Sequence, residues 1–97
     1  MITRFDKYKD LKKYYIFEVD NKFILLELVN VESEDIVTMK KLFISDNDGV
    51  REVDKNGQNV ILTKFFKVKD RILHEGDDFD DAYEKLVLLP KMKKYNL

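Results

Sequence analysis

Six carboxylates crowd into ten residues: Glu75, Asp77, Asp78, Asp80, Asp81 and Glu84. Acids at this density have three chemical uses. They cap the free N–H groups of a helix start and complement the positive end of its macrodipole. They can hold a divalent cation. They can also present a negative field to a basic partner. Helix-start chemistry is the plainest account, but it needs one or two acids, and the run has six. On a helix, Asp77, Asp81 and Glu84 would share a stripe with only Lys85 nearby to oppose it. The functional expectation is an acidic patch for a protein partner with a basic surface. The nucleic-acid groove of an enzyme is one such surface, because carboxylates can imitate phosphates there.

A basic counterpart lies just upstream. Lys64, Lys67, Lys69 and Arg71 interleave with Phe65 and Phe66. On a strand, Phe65, Lys67 and Lys69 point the same way. A stacking aromatic beside lysines on a β face suits a single-stranded nucleic acid. Lys12, Lys13, Lys40 and Lys41 would widen that patch. The plainer account is a half-buried strand whose outer face the lysines solubilise. A surplus of tyrosines (Tyr8, Tyr14, Tyr15 and Tyr95) offers contact area for a partner protein if they lie on the surface.

The catalytic kits are missing. Ser33 and Ser45 are the two serines, His74 is the one histidine, and no serine sits in a nucleophile elbow. Three scattered glycines, Gly49, Gly57 and Gly76, make no phosphate cradle. There is no cysteine, which excludes disulfides, thiolate metal sites and cysteine nucleophiles. His74 with Glu75 or Asp77 falls short of a zinc ligand set. Asp46-Asn47-Asp48-Gly49 fails calcium-loop spacing, because its glycine arrives two positions early, and it reads as a turn. The expectation is a non-enzymatic protein with no cofactor and no resident metal.

Bulk properties narrow the class. The chain has 97 residues, room for one domain over 1–97. It is 44% hydrophobic and 38% charged, a folded composition with a heavily charged surface. Lys and Arg number 18 against 19 Asp and Glu, so neither a globally basic nucleic-acid binder nor a globally acidic mimic fits. The first residues lack the roughly 7–15-residue apolar stretch of a secretory signal, and no apolar run is long enough to span a bilayer. The expected location is the cytoplasm, with no membrane contact. Abundant Lys, Asp, Asn and Ile with scarce Gly, Pro and Ala suggest an AT-rich genome, such as that of a low-GC bacterium or a phage or other mobile element. The sharper functional expectation is therefore an inhibitor from a mobile element, of the anti-CRISPR or wider anti-defence kind. It would dock on a host nucleic-acid-handling enzyme. The alternative is a single-stranded nucleic-acid-binding small β-barrel.

The elements that must position these residues follow from periodicity. Residues 1–13 suggest a short helical lead-in, with Phe5, Tyr8 and Leu11 at three-residue spacing. Tyr14 to Val31 is a tight hairpin. With Asn21-Lys22 as its turn, Tyr15/Leu28, Phe17/Leu26 and Val19/Ile24 pair on one core face, and the other face is half-exposed. Segment 33–43 reads as either a short helix or a strand. The strand Val37–Ser45 is preferred, turning at Asp46–Gly49 into a short strand over Val50–Asp54. Asn56-Gly57 predicts a second tight hairpin that pairs Val53 with Val60, with the returning strand running to about Lys69. Residues 70–75 extend as a further short strand. Phe79, Ala82, Tyr83, Leu86 and Leu89 form the stripe of an amphipathic helix capped by Asp77 or Asp78. Pro90 is expected to end it, leaving 91–97 as a basic tail. The fold class is α+β, mostly antiparallel β: about five strands in a small barrel or curved sheet with a C-terminal amphipathic helix.

Overall fold

The computed structural model describes residues 11–33, 36–54, 56, 59–62 and 71–94. The elements run β1 (Tyr14–Val19), β2 (Lys22–Val31), β3 (Val37–Asp46), β4 (Gly49–Glu52), β5 (Asn59–Leu62), β6 (Ile72–Gly76) and α1 (Phe79–Lys94). All pairings are antiparallel, in the order β4-β3-β2-β1-β6, with β5 also on β3. Among the described residues β6 pairs only with β1, so the sheet stays open. The architecture is therefore a sheet with one C-terminal helix, not a closed barrel.

The first hairpin is tight, but it turns one residue earlier than the sequence suggests. Val19 pairs with Lys22, and the turn is Asp20-Asn21, with φ of 52° and 66°. Two positive φ values define the turn that matches strand twist, and Asp and Asn tolerate them better than Lys does. Pairing shifts by two, so Tyr15 meets Leu26 and Phe17 meets Ile24. A shift of two leaves every side chain on its own face.

The core assignment needs a larger correction. Both faces of the hairpin are packed. The helix lies on the face expected to be half-exposed, where Tyr14, Ile16, Phe23 and Leu25 join Ala82, Leu86 and Leu89. Tyr15, Leu26, Val37 and Met39 form a second buried cluster, with Phe17, Ile24 and Leu28 packed against it. Val19, expected in the core, is 48% exposed at the turn. In the true register Ile16 opposes Leu25.

Segment 37–46 is a strand of ten residues. It turns through Asn47-Asp48 into β4, and Gly49 takes φ +116°, a conformation L side chains rarely adopt. Asn56-Gly57 does not fold β5 back on β4. Val60 pairs with Met39, not Val53, and Val53 instead donates its N–H to the Leu42 carbonyl at 3.1 Å. β4 takes only the Phe43–Asp46 half of β3, and β5 takes Val37–Lys40, end to end with it. A ten-residue strand leaves half its edge bare beside a four-residue partner, and β5 satisfies those groups.

Pro90 does not stop the helix. α1 runs through it to Lys94. Proline removes the N–H that the Leu86 carbonyl would accept. Tertiary contacts beyond it hold the last turn. Lys93 Nζ pairs with the Glu18 carboxylate, donates to Asn21 Oδ1 at 3.1 Å, and lies 5.9 Å from the centre of the Phe23 ring. Pro90 itself is buried.

Candidate functional site

The acidic run straddles the corner from β6 into α1, and the fold divides it. Asp78 is the cap: its carboxylate accepts the Asp80 N–H at 2.9 Å, and its carbonyl accepts the Ala82 N–H at 3.1 Å. Asp77 lies outside the helix, so it does not share a helical stripe with Asp81 and Glu84. It accepts the Lys13 N–H at 2.9 Å, with the Lys12 ammonium 4.0 Å away, and so ties the chain entering β1 to the helix start. Glu75 sits on β6 opposite Tyr15 and is exposed. Asp80 and Asp81 occupy the first helical turn, with Glu84 one turn on. All three are exposed and, among the described residues, carry no side-chain hydrogen bond or ion pair.

Two of the six acids, Glu75 and Asp77, act on one buried group. Tyr15 is fully buried, and its hydroxyl accepts the Lys12 N–H at 2.7 Å. Burial pushes its pKa up to about 12; the Lys12 bond works against the rise, and the charges of Glu75 and Asp77 add to it.

An aromatic cluster fixes the helix on the sheet behind this patch. Phe79 meets Tyr14 at 5.6 Å between ring centres, and Tyr83 meets Phe43 edge-on at 5.2 Å. Tyr14 and Tyr15 are thus core residues, not spare contact area. Tyr8 and Tyr95 lie outside the described residues, as do Phe65, Lys67 and Lys69 and the lead-in over 1–10. Of the lysines expected beside Phe65, Lys12 faces Asp77, and Lys13 pairs with Glu27 at 3.6 Å.

His74 pairs with Ile16 on the helix face of β6 and is half-buried, with Nε2 buried and lacking a hydrogen-bond partner. Among the described residues no group of three or more His, Cys, Asp or Glu side chains could hold a metal ion. Asp46-Asn47-Asp48-Gly49 forms a turn. The Asp46 carboxylate accepts the Asp48 N–H at 2.9 Å and both forks of Arg51, at 3.2 and 2.9 Å. The Arg51 guanidinium holds its pKa below the usual carboxylate range.

The opposite end of α1 carries a feature the sequence reading missed. Pro90 and Lys91 face the β3–β4 turn across an open cleft lined by Ser45, Asn47, Val50 and Val87. A proline inside an otherwise regular apolar stripe, followed by lysines, was the available signal.

No match is found with protein-family models, curated proteins or solved structures. Among the described residues no helix is long and apolar enough to cross a membrane.

Proposed function

We propose that this chain is a small non-catalytic binding module whose acidic helix start docks on a basic protein surface. The supporting observation is the division of labour within the acidic run. Asp77 and Asp78 are consumed by the fold, while Asp80, Asp81 and Glu84 stand exposed without a cation among the described residues. Exposed like charges on adjacent turns repel one another, and a basic partner relieves that repulsion. The partner class that fits best is a nucleic-acid-handling or defence enzyme, whose groove already binds a polyanion. In that reading the chain is a cytoplasmic inhibitor carried by a phage or mobile element.

The test neutralises only the unconsumed acids. The D80N/D81N/E84Q variant keeps the Asp78 cap and the Asp77 tie, and circular dichroism checks that it folds. Affinity capture from a bacterial lysate should recover a protein with the wild-type chain and lose it with the variant. Equal capture by both chains defeats the acidic-docking reading. Anisotropy with labelled single-stranded DNA and RNA runs in parallel; salt-sensitive binding there would favour the Phe65–Lys67–Lys69 reading instead.

A further inference from the structure

A second site lies at the other end of α1. Two adjoining hollows, of about 330 and 430 Å³, share Asp46, Asn47 and Pro90 as walls. Together they form one cleft between the β1–β2 turn, the β3–β4 turn and the last turns of the helix. The size falls within the range of small-ligand pockets, roughly 300–1,000 Å³.

Its chemistry is one-sided. Val50, Val87, Pro90 and Phe23 supply apolar wall. The acceptors are already engaged: Asp46 holds Arg51 and the Asp48 N–H, and Asn21 Oδ1 holds Lys93. Among the described residues the exposed Lys91 ammonium has no ion pair and the Asn47 side-chain amide no hydrogen bond, while Asp46 and Lys93 are paired, so the charge left over at the cleft is positive. Ser45 brings a hydroxyl to the wall of the cleft although the residue is only 1% exposed, the one buried polar residue among those described.

The geometry points to a binding site for a small organic carboxylate with an apolar body. The carboxylate meets Lys91 and Asn47 at the rim, with the Ser45 hydroxyl beneath. The apolar part covers Val50, Val87 and Pro90. Glycine at the turn leaves space beside it: a Cβ added at Gly49 would meet nothing within 4 Å, although its φ of +116° disfavours any L side chain there.

The experiment is an NMR titration of the whole chain with phenylacetate and octanoate, to about 10 mM, well above the roughly millimolar Kd expected of ligands this small. The matching amides, phenylacetamide and octanamide, serve as uncharged controls. The expected result is saturable shifts at Ser45, Asn47, Val50, Val87 and Lys91, with the acids bound about tenfold more tightly than the amides. Lys91→Gln should remove that preference, and Ser45→Ala should weaken both acids, with the remaining spectrum intact in each. No saturable shift at the cleft overturns the site. Equal binding of acids and amides, or an undiminished preference in K91Q, overturns carboxylate recognition. The D80N/D81N/E84Q variant should bind phenylacetate as the wild type does, which separates this site from the acidic end.

Discussion

The two ends of α1 obey the same electrostatic rule and solve different problems. Acids gather at the start and lysines at the finish, as the macrodipole favours. At the start, a single carboxylate caps the helix and a second ties it to Lys13, while Asp80, Asp81 and Glu84 face outward. At the finish, Lys93 reaches back to Glu18 and Asn21, and buried Pro90 forms the wall of a cleft. One end leaves charge unpaired among the described residues; the other leaves space. Charge sign alone does not separate structure from function. What separates them is whether each charged group has a partner within the fold.

The largest effect should come from the residue both ends depend on. Leu86 is fully buried at the centre of the helix stripe, and Leu86→Ala should cost about 2–5 kcal/mol in urea unfolding. Cleft and acidic patch should then loosen together; retention of wild-type stability would mean the helix is not anchored through its middle. Pro90→Ala should act in the opposite direction. Regaining the Leu86 carbonyl bond should outweigh the lost ring contacts and raise stability by about 1–2 kcal/mol. A loss of stability would show instead that the ring's packing dominates that end. Asp78→Ala removes the cap and should cost about 1 kcal/mol, leaving the cleft unchanged by NMR.

Smaller effects appear with pH, and they too divide by end. Tyr15 has a folded pKa raised to about 12, above the ordinary value of 10.0. Its neutral form is favoured by folding, so this contribution is whole below pH 10 and is lost as pH rises towards 12. Asp77→Asn should lower that folded pKa, followed by tyrosinate absorbance. Asp46, at the cleft, runs the other way. Its folded pKa is depressed, so its contribution is present above the ordinary carboxylate range and is lost as pH falls through the folded value. Arg51→Gln should bring the Asp46 midpoint, read by carboxyl NMR, back towards the ordinary range.

Much of this fold was legible because its signals are local. Asp46–Gly49 announced its turn through a glycine that must take positive φ, and Phe79 to Leu89 announced the helix through its stripe. The strand expected over Val37–Ser45 forms, running one residue further to Asp46, because Thr38, Phe43 and Ile44 suit a pleated surface. What escaped was non-local. Nothing near Asn59 shows that its strand joins β3 rather than β4, and nothing near Pro90 shows that Lys93 will find Glu18 on a distant hairpin. The acidic run was visible as composition. Which acids the fold consumes became visible only once Lys13 and Asp77 stood side by side.

The shared edge of β3 carries a kinetic consequence. β4 reaches it through a two-residue turn, a closure completed in about 1–10 μs in isolated hairpins. β5 must bring Asn59 back to Lys40 around the whole β3–β4 hairpin, a far longer loop with a higher entropic cost. One strand is thus assembled in two stages. The half beside β4 closes over a short loop, and the half beside β5 waits for the chain to come around.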